Sequence, residues 1–235
     1  MKALDAWNQW VNDNPDLFLS VERVNDFSQI EIIARDINSK LVFKENDKVL
    51  DVGCGSGLLL SRLVNENKIQ AVGTDISEAQ IRIANKNFHN IHFLVNDAEH
   101  LSFKNSSFNK ILCYSVFHLI SNWKEVIDSF INVATDDGMI LIGDIPDKKL
   151  KYKYYWYILK TLPSLFLNFK TLRNKFAYNK NRPRWIWVDL DKVCNYIKTR
   201  GFNYKILTQP QSHRQFGTAS AFYRVDLLIY KKHDQ

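Results

Sequence analysis

The sequence VLDVGCGSG at residues 49–57 determines the fold class of this chain. Its first four residues form an apolar run that contains one aspartate, which is typical of a short buried strand. Three alternating glycines complete the stretch, and the leucine-rich sequence LLLSRLV at residues 58–64 follows. Because glycine has no Cβ atom, it allows the chain to turn tightly and to approach a ligand closely. The stretch therefore predicts a strand, a tight turn and a helix, the first unit of an α/β fold.

Strands and helices alternate along the rest of the chain. Ser77 followed by Gln80 forms a capping box at the start of one helix, and Asp189 and Gly201 mark the ends of another. Periodicity predicts further helices at residues 24–43 and 123–134, and strands at 70–74, 91–95, 110–114, 139–145, 202–207 and 221–230. We expect a doubly wound sheet of five parallel strands, completed by an antiparallel pair at the end of the chain.

Composition argues against a membrane-spanning or secreted chain. No apolar run reaches the roughly 18 residues that a spanning helix needs. The first residues lack the long apolar stretch of a secretory signal. The three cysteines, Cys54, Cys113 and Cys194, are odd in number, far apart and without metal-ligand spacing. We therefore expect free thiols, no metal site and a cytoplasmic location, where thiols stay reduced.

The net charge of +7 comes from one segment of the chain. Residues 148–187 contain 11 Lys or Arg residues and no Asp or Glu, whereas the remainder carries 21 basic and 25 acidic residues. The same segment holds 11 aromatic residues. It follows the fifth predicted strand, and its single-signed charge requires an explanation separate from that of the sheet.

Carboxylates stand in and after the first three predicted strands, where open α/β sheets bind their ligands. Asp75 could accept hydrogen bonds from both hydroxyls of a ribose, and it also suits a turn or a helix cap. Asp97, followed by Ala98, suits the edge of an adenine or a plain polar loop. Asp51 lies within the first strand, where a charge is costly unless it is hydrogen-bonded. We expect it to order the glycine loop or to meet the cationic end of a ligand.

The glycine loop differs from a dinucleotide-binding loop, which would have its third glycine at position 58. Leu58 occupies that position, and this argues against nicotinamide and flavin cofactors. Taken alone, the three glycines also fit a simple turn between a strand and a helix.

Together, these stretches resemble the successive motifs of class I S-adenosylmethionine-dependent methyltransferases. The resemblance covers residues 45–145 and rests on VLDVGCGSG at 49–57, GTDIS at 73–77, NDAE at 96–99 and YSVFH at 114–118. It implies a mostly parallel seven-stranded sheet in the order 3-2-1-4-5-7-6, with helices on both faces and the last strand antiparallel.

The resemblance also implies an enzyme with S-adenosylmethionine as cofactor and S-adenosylhomocysteine as product. The glycine loop would hold the methionine part, Asp75 the ribose and Asp97 the adenine, while Cys113 and the two residues after it would line the floor of the site. The cofactor-binding residues that we expect are Asp51, Gly53, Cys54, Gly55, Gly57, Asp75, Ile76, Asp97, Ala98, Tyr114 and Ser115.

Two residues are candidates for catalysis. His118 follows the fourth strand and could act as a general base for a hydroxyl acceptor, because a neutral imidazole is available near pH 7. Asp144 ends the fifth strand and could orient an acceptor hydroxyl or amine. Each also fits a structural role, His118 on the following helix and Asp144 in a turn before Pro146.

The acceptor class is narrowed by elimination. The fourth strand is not followed by the Asn-Pro-Pro-Tyr pattern that family members use on amide or adenine nitrogens. Cys113 follows Leu112 rather than a proline, which argues against attack on pyrimidine carbon 5. A small molecule or sugar remains as the acceptor, methylated on oxygen or on nitrogen.

We expect the basic segment to cap the acceptor site and to bind an anionic sugar or metabolite. Arginines suit phosphate, and aromatic faces suit rings. The residues that we expect to contact this acceptor are Tyr155, Arg182 and Arg184 in the segment, with His213 and Arg214 in the loop between the last two strands.

Other interpretations of the basic segment remain open. It could be a cap that only packs its aromatic residues, or residues 156–169 could form an interfacial helix in a peripheral-membrane lipid methyltransferase. Single-stranded nucleic acid would also suit these side chains, but no nucleic-acid-binding module accompanies them. A non-catalytic partner subunit with the same fold is a further alternative, against which the complete set of cofactor residues argues.

We therefore expect one methyltransferase domain over residues 1–235. Its parts would be an N-terminal helical lid (1–44), a cofactor-binding core (45–147), a basic and aromatic substrate cap (148–188), and a C-terminal helix with an antiparallel strand pair (189–235).

Overall fold

The computed structural model describes residues 8, 11–12, 27–156, 159, 186–209 and 223–231. Helices alternate with strands from residue 27 to residue 146. The helices are α1 (Phe27–Leu41), α2 (Leu58–Asn67), α3 (Glu78–Asn87), α4 (Trp123–Val133) and α5 (Leu190–Thr199). The strands are β1 (Lys48–Val52), β2 (Gln70–Asp75), β3 (His92–Val95), β4 (Phe108–Tyr114), β5 (Ala134–Pro146), β6 (Asn203–Thr208) and β7 (Arg224–Tyr230). Short 3₁₀ turns at Phe117–Leu119 and Lys148–Leu150 follow β4 and β5.

The strands form one mixed sheet in the order β3-β2-β1-β4-β5-β7-β6. β1 pairs in parallel with β2 on one side and with β4 on the other. β7 runs antiparallel to both β5 and β6. The predicted strand order and the antiparallel pair are thereby confirmed. The carboxyl ends of β1 to β5 consequently lie along one edge of the sheet, where such folds bind their ligands.

The central strands are buried on both faces of the sheet. Val49 in β1 and Leu112 in β4 lie in a cluster with residues of α1 and α2. Leu50 and Ile111, one position away, lie in the opposite cluster with residues of α4 and α5. Because successive side chains of a strand point to opposite faces, β1 and β4 need apolar residues at consecutive positions.

The starts of α3 and α5 follow local capping chemistry. Ser77 Oγ accepts a hydrogen bond from the backbone N–H of Gln80 at 3.3 Å, and the Asp189 carboxylate accepts one from the N–H of Lys192 at 3.5 Å. Gly201, which follows α5, has a φ of 79°. The two predicted starts and the predicted glycine end are therefore confirmed.

One boundary differs from the prediction. The sequence predicts that a helix runs to residue 134, that a turn follows, and that the fifth strand starts at residue 139. In the structure β5 already begins at Ala134, because Ala134 pairs with Phe108 of β4. The register of this pairing shifts between Phe108 and Lys110, so the first part of β5 is irregular. A pairing irregularity of this kind depends on the neighbouring strand and leaves little local signal.

The described residues of the N-terminal region occupy two places. Ala34 and Ile37 of α1 are buried against the sheet, so α1 belongs to the helical layer. Asn8 lies at the start of α3, where its Oδ1 accepts a hydrogen bond from Ser77 Oγ at 2.6 Å, and Val11 packs against Ala79. Among the described residues before α1, Asn8 and Val11 thus contact the helix that follows Asp75.

The two ends of the basic segment meet at the end of β5. Asp147 forms a parallel bridge with Val188, and the Lys148 N–H donates to the Val188 carbonyl at 2.9 Å. Lys148 also forms an ion pair with Asp189 at 3.3 Å. The segment is thus an insertion that leaves and rejoins the sheet at one point. No helix in the described ranges is long and apolar enough to cross a bilayer.

A network of buried ionic side chains joins α1 to β5 and β7. Lys40 Nζ lies 2.5 Å from Oδ2 of both Asp36 and Asp226. Arg224 Nη1 lies 2.9 Å from Asp144 Oδ2, and the Asp144 N–H donates to Asp226 Oδ1 at 2.7 Å. Since a buried charge without a counter-charge is costly, each member of this network depends on the others.

We predict that Asp226→Ala destabilises the protein strongly, because it leaves Lys40 with less compensation and the Asp144 N–H without its acceptor. Breaking a buried ion pair from one side typically costs about 3–5 kcal/mol in the free energy of unfolding. Urea denaturation measures this change. Asp136→Ala, which removes the exposed partner of Lys231, serves as the control and should leave the transition in place. Similar transitions for the two variants would contradict the prediction.

Candidate functional site

The glycine loop is held against β2 by backbone hydrogen bonds. The N–H groups of Gly53 and Cys54 both donate to the Thr74 carbonyl, at 2.7 and 2.9 Å. A Cβ atom on Gly53 would lie 2.3 Å from Val116, whereas one on Gly55 would meet nothing closer than 3.9 Å. Glycine at position 53 therefore permits close packing of the protein on itself, and glycine at position 55 leaves open space beside the loop.

The carboxylate of Asp75 connects the glycine loop to α3. Its Oδ2 accepts a hydrogen bond from the Gly55 N–H at 3.0 Å, and its Oδ1 accepts one from the Ser77 N–H at 2.8 Å. Burial raises the pKa of Asp75, and these backbone donors act in the opposite direction. Each oxygen can still accept a second hydrogen bond. Asp75 can therefore hold a diol without releasing the loop.

Asp51 is a buried carboxyl with one unsatisfied oxygen. The side chain is 2% exposed, and its Oδ2 lacks a hydrogen-bond partner among the residues that the structure describes. Burial and the nearby Asp75 carboxylate raise the pKa of Asp51 to about 7. A buried polar atom without a partner is costly, so its presence at the carboxyl end of β1 suits a ligand that brings a cation or a hydrogen-bond donor.

The ends of β2 and β3 are joined beside this loop. The Asn96 N–H donates to the Asp75 carbonyl at 3.0 Å. Asp97 is exposed, and its Oδ1 accepts a hydrogen bond from the Glu99 N–H at 3.0 Å, while Ala98 is partly buried. Ile76, between Asp75 and Ser77, is 44% exposed at this edge of the sheet. A flat apolar ring bordered by an amine would suit the exposed Ile76 and the Asp97 carboxylate.

Two residues with left-handed backbone conformations meet at the ends of β4 and β5. Ser115 has a φ of 63° and Asp144 a φ of 61°, although neither is glycine. Ser115 Oγ donates to Asp144 Oδ2 at 2.6 Å, and the Ser115 N–H donates to the Gly143 carbonyl at 3.1 Å. The Tyr114 ring covers Gly143, where a Cβ atom would lie 2.3 Å from it. Strained residues of this kind persist only where the surroundings hold them, and they concentrate at functional sites.

Asp144 is held on several sides. Arg224 Nη1 donates to both its backbone carbonyl (2.6 Å) and its Oδ2 (2.9 Å). Gln209 Nε2 lies 3.3 Å from Asp144 Oδ1 and 3.3 Å from Asp226 Oδ1. The sequence analysis missed Arg224, Asp226 and Gln209. Two charged residues in the otherwise apolar strand RVDLLIY at 224–230 are the signal that could have found the first two.

His118 lies in the 3₁₀ turn that follows Ser115 and Val116. Its side chain is 1% exposed, and its backbone carbonyl accepts a hydrogen bond from the Ile186 N–H at 2.8 Å. The turn therefore connects the end of β4 to the chain that returns from the basic segment. Because His118 is shielded from water, any group that it contacts must be bound within the protein.

The three cysteines are free and buried, as predicted. Cys113 lies in the core cluster between β4 and α4, and burial raises the pKa of its thiol. Cys54 lies in the glycine loop, and burial and the Asp51 charge raise the pKa of that thiol too. In the described ranges, no three His, Cys, Asp or Glu side chains are grouped so that they could hold a metal ion.

An aromatic cluster covers the end of β5. The Tyr154 ring lies 5.6 Å from that of Trp187 and 5.0 Å from that of Tyr223. The Arg224 guanidinium lies 5.6 Å from the Tyr223 ring, so the cluster adjoins the Asp144 network. Tyr155, which the sequence analysis expects to bind the acceptor, is 52% exposed and touches only the edge of this cluster through Tyr154. The other expected acceptor contacts, Arg182, Arg184, His213 and Arg214, lie outside the described residues.

These residues fit the ligand that the sequence resemblance implies. S-adenosylmethionine carries an ammonium group, a ribose diol and an adenine. The unsatisfied oxygen of Asp51 suits the ammonium, the Asp75 carboxylate suits the diol, and the exposed Ile76 with Asp97 suits the adenine. The open space beside Gly55 leaves room for the part of the ligand that joins the ammonium to the ribose.

Comparison with known proteins identifies the family. Residues 43–209 match the family described as a methyltransferase domain. A protein of Methanocaldococcus jannaschii is 31% identical over 90% of this chain and 80% of its own length. A ubiquinone biosynthesis O-methyltransferase of Glaesserella parasuis is 26% identical over 68% of this chain and 81% of its own length.

A solved structure shows the same fold over nearly the whole chain. A methyltransferase of Haloferax volcanii, solved in complex with a methyltransferase activator, superposes with a TM-score of 0.68 at 13% identity and covers 97% of this chain and 98% of its own. The match over residues 43–209, the strand order and the fit of the site agree. The chain belongs to the methyltransferase domain family and is a class I S-adenosylmethionine-dependent methyltransferase.

Proposed function

We propose that this enzyme methylates an oxygen or nitrogen atom of a small ring-containing molecule, bound between the ends of β4 and β5. The hydrogen-bonded pair of strained residues, Ser115 and Asp144, carries the proposal. The pair lies next to the glycine loop, because Val116, which follows Ser115, packs on Gly53. A cofactor held by that loop would present its methyl group near this pair.

The cofactor would be held by the residues at the three strand ends. Asp51 would bind the ammonium group, the loop of Gly53, Cys54, Gly55 and Gly57 the methionine chain, and Asp75 the ribose. Ile76, Asp97 and Ala98 would bind the adenine, while Tyr114 and Ser115 would form the floor beneath the reacting groups. When bound, S-adenosylmethionine would supply a methyl group on a sulfonium for in-line transfer to the acceptor atom, with S-adenosylhomocysteine as the leaving group.

The residues of this chain would orient the acceptor and exclude water. Ser115 Oγ donates a hydrogen bond to Asp144, so its oxygen can accept a hydrogen bond from an N–H of an acceptor amine. Asp144 thereby acts through Ser115, and Arg224 holds Asp144 in place. His118, three residues after Ser115 and buried, would take the proton of a hydroxyl acceptor.

The aromatic cluster supports an acceptor with a ring. Tyr154, Trp187 and Tyr223 stand beside Arg224 at the same end of the sheet. The names of two relatives agree with such an acceptor, a ubiquinone biosynthesis O-methyltransferase and a demethylmenaquinone methyltransferase. The acid-free segment 148–187 supports an anionic group on the acceptor, with Arg182 and Arg184 as candidate contacts.

A panel of acceptors tests the substrate class directly. Formation of S-adenosylhomocysteine would be measured with phenols, sugars and amines, each with and without a phosphate group. The proposal expects turnover with ring-containing acceptors and a lower KM for phosphorylated ones. Turnover confined to a protein or nucleic acid would contradict it.

We predict that Asp75→Asn weakens S-adenosylhomocysteine binding by about tenfold to a hundredfold. Hydrogen bonds to a charged carboxylate contribute about 1.5–3 kcal/mol, and the amide cannot supply them equally to two hydroxyls. Isothermal titration calorimetry measures the affinity. Glu78→Gln removes an exposed carboxylate at the first position of α3 and is the matched control. Equal affinities for Asp75→Asn and the control would rule out the ribose assignment.

We predict that Asp51 makes the free enzyme less stable as the pH rises from about 4 to 7. Its pKa is about 7 in the folded chain and about 3.9 when unfolded, so within this range the folded chain holds a proton that the unfolded chain has lost. The stabilisation is complete below pH 4 and is lost as the pH passes 7. Asp51→Asn removes this dependence and should therefore be the more stable protein above pH 7.

Thermal unfolding of the wild type and of Asp51→Asn, both without cofactor, is measured between pH 4 and 8. Asp97→Asn, which removes an exposed carboxyl, controls for the loss of one acid. If the stability curves of wild type and Asp51→Asn run parallel, Asp51 is ionised throughout and the assignment fails.

We predict that Ser115→Ala and His118→Gln have different kinetic effects. Loss of the serine hydroxyl removes one neutral hydrogen bond to an acceptor amine, so kcat/KM should fall about threefold to tenfold for amine acceptors and little for hydroxyl acceptors, whose proton goes to His118. Loss of the imidazole removes the base, so kcat should fall about 10²–10⁴-fold for hydroxyl acceptors only.

Steady-state rates on one hydroxyl and one amine acceptor separate the two roles, with cofactor affinity as the test of folding. His100→Gln replaces an exposed histidine and is the control for His118→Gln. Near-normal turnover of a hydroxyl acceptor by His118→Gln would make His118 a structural residue.

A further inference from the structure

The helix that opens the basic segment is fixed to the protein by one face. Residues 151–156 and Leu159 are helical. Leu150, directly before them, packs against the main core cluster, and Tyr154 joins the aromatic cluster with Trp187 and Tyr223. Leu150 and Tyr154 are four residues apart and therefore share one side of a helix.

The opposite face of this helix carries large apolar side chains that are exposed. We call Tyr152, Tyr155, Trp156 and Leu159 the outer stripe; they are 66%, 52%, 60% and 65% exposed. Their spacing of i, i+3, i+4 and i+7 places them together on one face. At about 100° per residue, the centre of this stripe lies roughly opposite Leu150 and Tyr154. The fixed face and the exposed face are thus distinct.

Lysines border the outer stripe on both sides. At about 100° per residue, Lys151 falls between the fixed face and one edge of the stripe, and Lys153 falls beyond the other edge. Both are exposed, and Lys151 Nζ lies 5.6 Å from the ring of Tyr155. No acidic residue occurs between positions 148 and 187. The charged residues that this helix itself places beside the stripe are therefore all positive, while Asp189 and Asp191 at the start of α5 pair with Lys148 and Lys149 before it.

We propose that the outer stripe docks on the surface of an anionic lipid bilayer. Tyrosine and tryptophan have an apolar ring and a polar edge, and they favour the boundary between lipid and water. Lysines on both flanks of an apolar face reach lipid headgroups, which is typical of helices that lie in a membrane interface. A protein partner would present a patterned surface, whereas lysines on both flanks of the stripe match the uniform negative charge of a bilayer.

This docking surface stands beside the proposed acceptor site. The helix starts at the end of β5, and its inner residue Tyr154 belongs to the aromatic cluster near Arg224. A docked enzyme would hold the ends of β4 and β5 close to the bilayer. The inference concerns where the enzyme binds and does not depend on which acceptor it methylates.

Sedimentation of the full chain with lipid vesicles tests the proposal. One set of vesicles contains phosphatidylcholine alone, and the other contains equal amounts of phosphatidylcholine and phosphatidylglycerol. We expect binding to the anionic vesicles, weakened by salt, and little binding to the neutral ones. Lys151→Gln with Lys153→Gln should weaken binding about fivefold for each lysine removed. Tyr152→Ser with Trp156→Ser should weaken it at least as much.

Matched controls separate the outer stripe from the overall positive charge. Lys86→Gln with Lys104→Gln removes two exposed lysines elsewhere and should leave vesicle binding nearly unchanged. Equal losses in this control would overturn the proposal in favour of non-specific attraction. So would failure of the wild type to bind anionic vesicles. Light scattering would overturn it as well, if it showed a dimer that Tyr152→Ser with Trp156→Ser dissociates while vesicle binding stays intact.

Discussion

Burial of charge at the end of β5 is the constraint on which the site proposed for the acceptor depends. Asp144, Asp226 and Asp36 are out of water, and only Lys40 and Arg224 provide positive charge to them within the described network. The arrangement holds because the backbone N–H of Asp144 and the side chain of Gln209 supply further donors. Through Asp144 the network reaches Ser115, so the geometry proposed for the acceptor rests on contacts made by α1 and β7.

A second pair of charged groups, Asp51 and Asp75, lies at the site proposed for the cofactor. Asp51 and Asp75 are close enough for each ionised carboxylate to oppose the other, and Asp75 alone has backbone donors on both oxygens. Asp51, which lacks such donors on Oδ2, has its pKa raised to about 7 by burial and by Asp75. Glycine at position 55 keeps the intervening space open. Near Asp144 the buried charges are therefore compensated by other residues of the protein, whereas at Asp51 one carboxyl oxygen lacks a partner among the described residues.

The fold could be predicted because its signals are local. VLDVGCGSG encodes strand, turn and helix within nine residues, and capping residues such as Ser77 and Asp189 act on their own helices. The pairing in the buried network could not be predicted, because Lys40 and Asp226 are 186 positions apart and the charged residues in RVDLLIY do not reveal their partners. For a similar reason, the sequence does not show that Tyr154 packs inward and Tyr155 is exposed. Which side of a short helix faces inward depends on the anchoring residues, and the aromatic run itself does not reveal them.

The place of β7 in the sheet has a consequence for the order in which the enzyme is assembled. Residues 48–97, which contain β1, β2, β3 and the glycine loop, are contiguous and pair mostly with near neighbours. β7 enters between β5 and β6 and supplies Arg224 and Asp226. On the ribosome, residues 48–97 can therefore fold while Asp144 still lacks its counter-ion Arg224. In a nascent chain the proposed acceptor site would be complete only after β7 emerges and forms its contacts of high sequence separation, which form slowly.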